Sequence, residues 1–167
     1  MERGFALLMD KYQERLYWHI RRMVVDHEDA NDVLQNCLIK VFRNIRRFEG
    51  KSQLFTWLYR IATNEAITFL KSKKRKATTP LDAEETNWVN RLEADTYFDG
   101  DSAQRHLQQA LRTLPDKQRT VFLLRYFDEL SYQDISEVLK TSVGALKASY
   151  HHAVKKIERY VRNLESI

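Results

Sequence analysis

Glycine and proline are scarce in this chain, which has four glycines and two prolines among 167 residues. Both residues are typical of turns, and a protein built from many short strands needs many turns. No stretch shows the alternating pattern of a strand, whereas apolar residues recur three and four positions apart along most of the chain. The sequence therefore predicts an all-α fold.

Cysteine and long apolar runs are also nearly absent. Cys37 is the only cysteine, so an intramolecular disulfide is excluded. Its position on an apolar helix face indicates a core thiol rather than a redox sensor. No apolar run is long enough to cross a membrane, and the run from Phe5 to Met9 is too short for a signal peptide. We therefore expect a cytoplasmic protein.

Charge is unevenly distributed, although the formal net charge of +5 is modest. Residues 1–76 carry 16 lysines and arginines against 9 acidic residues, and residues 102–167 carry 11 against 7. Residues 77–101, in contrast, carry one arginine against seven acidic residues. Because 43% apolar residues suit two small cores better than one large core, we interpret the chain as two small helical domains, 1–76 and 102–167, joined by an acidic linker at 77–101.

Two amphipathic helices are predicted at the start of the first domain. The first spans residues 5–25, and the second follows an N-cap at Asp29. The buried side of the second helix is predicted to hold Leu34, Cys37, Leu38, Val41, Phe42 and Ile45. Its other side carries Asp32, Gln35, Asn36 and Ile39. An isoleucine within a polar face is typical of a partner surface, although an ordinary solvated face fits the periodicity equally well.

A third helix, from Leu54 to Lys71, is predicted to have a core side and a polar side. The core side would hold Leu54, Phe55, Leu58, Ile61, Ala62, Ala66 and Phe69. The polar side would hold Thr56, Arg60, Thr63, Asn64, Ile67, Lys71 and Lys74, with Trp57 at its edge. A short loop before this helix contains Glu49, Gly50, Lys51 and Ser52, and lies beside Phe48 and Trp57. This combination suits a nucleic-acid strand with an unstacked base in the loop, but a boundary tryptophan and a solvated basic helix end explain it equally well.

A helix-turn-helix is predicted in the second domain. A helix at 102–113 precedes one with Pro115 in its first turn. Ser131 is expected to cap a short helix from Tyr132 to Leu139, and a longer helix begins after a second cap. The residues predicted to face a DNA groove are Ser142, Gly144, Ala145, Lys147, Ala148, Ser149, His151, His152 and Lys155. The alternative is a helical hairpin for protein contact; a metal site is not expected, because adjacent histidines on a helix point apart.

Two stretches of the chain resemble a known family. WLYRIATN after a Phe-x-Gly-x-Ser loop, with DANDVLQNCLIKVF before it, is similar to the promoter-melting domain of the extracytoplasmic-function sigma factors, small bacterial transcription initiation factors. LPDKQRTVFLLRYFDELSYQDISEVLKTSVGALKASYHHAVKKI resembles the domain of the same family that reads the minus-thirty-five element. The resemblance implies a transcription factor rather than an enzyme, with no cofactor, metal or small-molecule substrate.

The same resemblance implies roles for the predicted faces. The face with Asp32 and Gln35 would dock on the clamp of the largest subunit of core RNA polymerase, while Asn36 stands where relatives usually have an acidic residue. The loop and the polar side of the third helix would hold the non-template strand of the minus-ten element, with Lys71–Lys76 on its phosphates. The polymerase flap and an anti-sigma factor, often attached to a membrane in this family, are further expected partners.

The chain departs from the family pattern where the recognition helix begins. Relatives usually have Thr-Val-Lys-Ser-Arg where this chain has Ala145, Leu146, Lys147, Ala148 and Ser149, so a guanidinium and one hydroxyl are lost overall. We therefore expect the chain to bind its promoter more weakly than relatives do, or with a different sequence preference. The alternative function is a stand-alone helix-turn-helix regulator, which would need a dimer interface and a palindromic site.

Overall fold

The chain divides into two compact helical units, and a computed structural model describes residues 2–76 and 101–167. All regular structure in these two ranges is helical, which confirms the all-α prediction. None of the helices in them is long and apolar enough to cross a membrane. The predicted linker at 77–101 lies outside the described residues except for Asp101. Asp101 is the N-cap of the helix that follows, because its carboxylate accepts a hydrogen bond from the backbone N–H of Gln104 at 3.0 Å.

Three helices that all contact one another form the first unit: α1 at Glu2–Val24, α2 at His27–Asn44 and α3 at Leu54–Lys76. A short 3₁₀ turn, Ile45–Arg47, follows α2. The core between the helices is filled by Leu16, Ile20, Val33, Leu34, Cys37, Val41, Leu58, Tyr59, Ala62 and Ala66. Because α3 packs against both α1 and α2, only its outermost side is free for a ligand.

The connection between α1 and α2 corrects the predicted start of α2. Val25 has a φ of 72°, a conformation rarely adopted by β-branched residues, and the chain reverses there. The Asp26 carboxylate then accepts hydrogen bonds from the backbone N–H groups of Glu28 and Asp29, at 2.9 and 3.1 Å. Asp26 is therefore the N-cap. Asp29 lies in the first turn, where the helix dipole favours an acid, and its carboxylate pairs with Lys73 Nζ of α3 at 2.8 Å.

Thr56 and Thr63 are buried, so the prediction that they lie on the polar side of α3 is wrong. A single amphipathic stripe assumes one packing surface, whereas α3 contacts two helices and its buried arc is correspondingly wider. The Thr63 hydroxyl is hydrogen-bonded to His19 Nε2 of α1 at 2.8 Å, and both side chains are completely enclosed. This bond ties α3 to α1 beneath its exposed side.

We expect Thr63→Val to lower the free energy of unfolding by about 1–3 kcal/mol, because the valine keeps the shape but removes a buried hydrogen-bond partner from His19. Urea unfolding followed by circular dichroism measures the change. Thr68→Val, at an exposed position of the same helix, is the matched control and should stay within about 0.5 kcal/mol of the parent protein. Equal losses in the two variants would contradict this role for the buried hydroxyl.

The edge of the first core is less enclosed than predicted. Phe42, expected in the buried stripe of α2, is 42% exposed, and its ring meets the edge of the Phe5 ring at a centroid distance of 5.1 Å. Four residues of α3 expected in the core are only half-buried: Leu54, Phe55, Ile61 and Phe69. Three helices of a small unit enclose few positions on every side, which explains why the flanks of each predicted stripe remain accessible.

Four helices form the second unit: α4 at Ser102–Arg112, α5 at Asp116–Phe122, α6 at Tyr132–Leu139 and α7 at Val143–Glu165. A π-helical turn, Leu123–Phe127, continues α5, and Pro115 is the N-cap of α5 rather than part of its first turn. Because α7 contacts α4, α5 and α6, it is the central helix of this unit. Its neighbours enclose a core of Ala110, Leu111, Leu114, Val121, Leu124, Leu130, Ile135, Val138, Leu146 and Ala153.

The predicted bounds of α6 and the predicted start of α7 are confirmed. The Ser131 hydroxyl accepts a hydrogen bond from the backbone N–H of Asp134 at 3.1 Å, and the Ser142 hydroxyl accepts one from Ala145 at 3.3 Å. Between the two helices, Lys140 adopts the left-handed conformation, with φ 53° and ψ 46°, and ends α6. The short turn between two capped helices makes this pair a helix-turn-helix.

Candidate polymerase and nucleic-acid interfaces

The four candidate polymerase-binding residues of α2 form one exposed surface, the α2 face. Asp32, Gln35, Asn36 and Ile39 are all exposed, and Ile39 is 48% exposed despite being apolar. Their spacing places them on one side of the helix over about 10 Å. Val33, Cys37 and Val41 are buried on the other side and hold this surface outward. The α2 face thus offers one carboxylate, two amides and an apolar contact to a partner.

Phe42 and Phe5 add an apolar margin next to the α2 face, and sequence periodicity missed it. Phe42 lies three residues after Ile39 on α2, and Phe5 of α1 contacts it edge-on. Periodicity assigned Phe42 to the core because an aromatic ring at the border of a stripe fits either side. Its fractional exposure depends on how closely α1 approaches α2, which is a tertiary property.

Cys37 lies on the buried side of α2 and is fully enclosed. Burial, together with the nearby Glu65 carboxylate, raises the pKa of the thiol to about 12, while Lys40 acts in the opposite direction. Lys40 and Glu65 themselves form an ion pair between α2 and α3. A thiol that stays protonated and enclosed is a poor nucleophile, and its burial confirms the prediction of a core thiol.

The Cys37 side chain is expected to stabilise the fold less as the pH rises above about 9. Its folded pKa of about 12 lies above the ordinary value of 9.0, so the folded state keeps a proton that the unfolded state loses between these values. Below pH 9.0 the full contribution of Cys37 to the free energy of unfolding is present. Between pH 9.0 and about 12 this contribution falls by about 1.4 kcal/mol per pH unit. Denaturant unfolding of the parent and Cys37→Ala at several pH values measures it. The parent and the variant share all other titrating groups. A difference between their free energies of unfolding that stays constant with pH would therefore contradict the raised pKa of Cys37.

The loop before α3 places an aromatic pair beside a turn that contains Gly50. The Phe48 and Trp57 rings lie 5.3 Å apart at 45°, and both side chains are half-buried. Gly50 has a φ of 70°, which glycine adopts most readily; no atom lies within 4 Å of the position that a Cβ would take, so the constraint is conformational. Lys51 is exposed and pairs with Glu49, and Ser52 is half-buried. The binding of an unstacked base at this loop stays a prediction.

The exposed side of α3 is narrower than predicted, and we call it the α3 stripe. It consists of Arg60, Asn64, Ile67, Lys71 and Lys74, of which Ile67 alone is half-buried and the others are exposed. Their spacing of three and four residues keeps them on one side of the helix over about 21 Å. Thr63 is not part of it. The stripe therefore presents an arginine and an amide near the loop, followed by lysines at the basic end of the helix.

The start of α7 presents small side chains, as predicted. Gly144, Ala145 and Ala148 are exposed, and no atom lies within 4 Å of the Cβ position at Gly144. The Ser142 hydroxyl serves as the cap of α7, and Ser149 is half-buried rather than fully outward. Three further candidate residues, His151, His152 and Lys155, are exposed. The surface is therefore shallow at its beginning and polar or basic further along.

Aromatic rings pack against the first half of α7, a contact for which the sequence contains no specific signal. Phe122 stacks on Tyr126 and on Tyr150 at centroid distances of 5.1 and 5.6 Å. Burial of the side chain raises the pKa of Tyr150, and the neighbouring Tyr132 hydroxyl has a smaller effect in the same direction. The Arg125 guanidinium lies 4.7 Å from the centre of the Tyr132 ring, and Lys147 Nζ lies 5.8 Å from it. The Lys147 ammonium group thus lies near an aromatic ring while its side chain stays exposed.

Metal-binding residues do not cluster in residues 2–76 or 101–167. No group of three or more histidine, cysteine or acidic side chains there could hold an ion. The His151 and His152 rings lie 6.0 Å apart at 61°, as neighbours on a helix do. Both side chains are exposed on α7.

Comparisons with known proteins place both units in one family, in chain order. Residues 8–76 match the model of sigma-70 region 2, and residues 104–157 match the model of sigma-70 region 4. The chain is 34% identical to the ECF RNA polymerase sigma factor SigW of Bacillus subtilis, over 96% of this chain and 90% of that protein. It is 33% identical to the RNA polymerase sigma-H factor of Pseudomonas aeruginosa, over 98% of this chain and 89% of that protein.

Solved structures of lower identity share the fold. The sigma factor RpoE in complex with the anti-sigma factor NepR, from Bartonella quintana, has a TM-score of 0.74 at 20% identity, covering 95% of this chain and 97% of that one. CnrH in complex with the cytosolic domain of CnrY has a TM-score of 0.71 at 18% identity, covering 98% and 90%. The all-helical architecture is therefore shared with these proteins.

Two helical units, the first matching sigma region 2 and the second a helix-turn-helix matching region 4, define a bacterial transcription initiation factor of the sigma-70 type. The chain belongs to the extracytoplasmic-function sigma factors, which confirms the resemblance seen in its sequence. The match to region 4 ends at residue 157, whereas α7 continues to Glu165.

Proposed function

We propose that the chain binds core RNA polymerase and directs it to promoters by reading the minus-thirty-five element as duplex and the minus-ten element as melted single strand. The observation that carries this proposal is that one chain holds two exposed surfaces suited to nucleic acid, the cationic α3 stripe and the small-residue start of α7, in two separate helical units. A regulator that reads duplex DNA alone needs only the second. We assign residues 1–76 to polymerase binding and melting, 77–101 to a linker and 102–167 to duplex recognition.

The α2 face is the proposed contact with the clamp of the largest polymerase subunit. Asp32 can pair with a basic partner surface, while Gln35 and Asn36 supply hydrogen bonds. Ile39 and the exposed part of Phe42 provide apolar area beside these polar groups. Such a mixture of a charged contact and an apolar contact is typical of transient protein interfaces.

Strand separation follows in this proposal from preferential binding. Unpaired bases stacked on the Phe48 and Trp57 rings, or held in the Gly50 loop, gain about 1–3 kcal/mol each, which offsets the few kcal/mol needed to unstack them. Arg60 and Asn64 follow the loop on the α3 stripe and can contact base edges, whereas the lysines beyond them contact phosphates. Thr63 contributes only by holding α3 to α1.

Duplex reading is assigned to the start of α7. Small residues such as Ala145 and Ala148 let the helix approach base edges closely, and an alanine methyl can contact the methyl group of thymine. The Lys155 ammonium group suits a phosphate, which adds affinity without sequence information. Because no guanidinium is present at this end of the helix, fewer bidentate contacts to guanine are available than in relatives with an arginine there.

The partners of the structural neighbours support a regulatory partner as well. RpoE is a sigma factor in complex with the anti-sigma factor NepR, and CnrH is in complex with the cytosolic domain of CnrY. We propose an anti-sigma protein as a partner of this chain, and the polymerase flap as a second polymerase contact. A factor that works on core polymerase acts in the cytoplasm.

Reconstituted transcription tests the proposed function. Promoters are first found by mapping transcript starts after overexpression of the chain, and linear DNA carrying one of them is then transcribed by core RNA polymerase. Specific transcripts are expected only when the purified chain is added. A chain that binds the duplex and represses transcription, but never supports a specific start, would instead be a stand-alone regulator.

A further inference from the structure

A row of exposed cations continues along α7 beyond its DNA-reading start. Ala148, His152, Lys155, Arg159 and Arg162 are spaced four, three, four and three residues apart, so they lie on one side of the helix, and all five are exposed. Leu146 and Ala153, which are buried, lie on the opposite side. Arg159 and Arg162, which we call the distal arginines, therefore face the same direction as the small residues proposed to enter the groove.

The guanidinium groups of the distal arginines are exposed on the surface of α7. Neither side chain forms an ion pair with any residue in the described parts of the chain. Glu158 and Glu165 lie four residues before and three residues after Arg162, but neither carboxylate pairs with its guanidinium in the structure. Exposed cations at helical spacing that form no ion pair are the electrostatic pattern of a phosphate-binding surface.

The length of the row determines what it can reach. Ala148 and Arg162 are 14 positions apart in the sequence, a distance of about 21 Å along a helix, whereas the major groove of duplex DNA is about 12 Å wide. A straight helix that starts in the groove therefore carries its far end past the groove edge, where the phosphate backbone lies. Both distal arginines also lie beyond residue 157, the last residue that matches sigma-70 region 4.

We propose that Arg159 and Arg162 bind phosphates of duplex DNA next to the segment read by the start of α7. A guanidinium matches the geometry of a phosphate with two parallel hydrogen bonds and carries no base information. The distal arginines thus supply sequence-independent affinity in a chain whose reading end, with Ala145 and Ala148, has lost a guanidinium. This inference rests on the proposed reading of duplex DNA by α7.

The salt dependence of duplex binding tests this inference. The full chain, the double variant R159Q/R162Q and the conservative variant R159K/R162K are titrated onto a fluorescent duplex of arbitrary sequence over a range of salt concentrations. Each lost phosphate contact reduces the slope of log affinity against log salt by about 0.9, so R159Q/R162Q should lose about 1.8. R159K/R162K should keep most of the slope, since the charge remains.

A matched control distinguishes the effect of where the charge is removed from the effect of the lower net charge. R105Q/K117Q removes the same charge from exposed positions on α4 and α5 of the same unit, and its slope should equal that of the parent chain. Equal losses in the two glutamine variants, or an unchanged slope in R159Q/R162Q, would overturn the inference. Reduced transcription by R159Q/R162Q with an unchanged slope would instead assign the row to an acidic protein partner. Absence of duplex binding by the parent chain would remove the proposed duplex reading as well.

Discussion

Asp32→Arg is expected to weaken the association of the chain with core RNA polymerase by about 10- to 100-fold. Asp32 is exposed on the α2 face, one turn from Gln35, and the helix behind it is fixed by buried residues such as Val33. Reversing the charge there removes an attraction and places a cation against a partner surface proposed to be basic. Like charges brought together in an interface cost several kcal/mol, so this single change should have a large effect. Competition against a labelled parent chain for limiting core polymerase measures the affinity.

Glu14→Arg provides the matched control for this charge reversal. Glu14 is also exposed in the first unit, but it lies on α1 and outside the α2 face. The control changes the net charge by the same amount and should bind core polymerase as the parent does. Neither substitution is expected to change the free energy of unfolding by more than about 0.5 kcal/mol, because both positions are exposed. Parent-like affinity in Asp32→Arg would remove the α2 face from the interface.

Capping interactions between neighbouring residues explain why the bounds of α6 and the start of α7 could be predicted from the sequence. Ser131 and Ser142 each cap the helix that follows through a hydrogen bond to a backbone N–H three residues on. The interaction involves only neighbouring residues, so the sequence alone contains it. The same logic fails at Asp29, because Asp26, Glu28 and Asp29 are all plausible near a helix start. The choice there depends on the reversal of the chain at Val25, which follows from how α1 meets α2.

Burial by two neighbours explains the errors on α3. Periodicity identified the exposed positions Arg60, Asn64 and Lys71 correctly, since these lie farthest from both packing helices. It failed at Thr63, where a hydroxyl that looks polar in sequence is satisfied inside the core by His19. A polar residue can be buried wherever a partner is present, and a partner 44 positions away leaves no local trace. The α3 stripe is consequently smaller than the polar side that the sequence predicted.

Asn64→Ala is expected to reduce the formation of open promoter complexes by about 5- to 100-fold, which corresponds to the roughly 1–3 kcal/mol of a specific side-chain contact to a base. Asn64 is exposed on the α3 stripe, one turn after Arg60 and on the same unit as the Phe48–Trp57 pair. Its amide can both donate and accept a hydrogen bond, whereas the lysines farther along can only donate to phosphates. The loss should therefore appear in the binding of the holoenzyme to a minus-ten single strand.

Measuring promoter opening and polymerase binding separately makes this prediction specific to the α3 stripe. Asn64→Ala should retain the affinity for core polymerase, because Asn64 lies on α3 whereas the α2 face lies on α2. Gln13→Ala removes an exposed amide from α1 of the same unit and should leave both activities unchanged. Equal loss of polymerase affinity and promoter opening in Asn64→Ala would mean that the residue supports the unit as a whole. A loss confined to opening would support a contact between Asn64 and the separated strand, because that contact forms after assembly and is absent from the closed duplex.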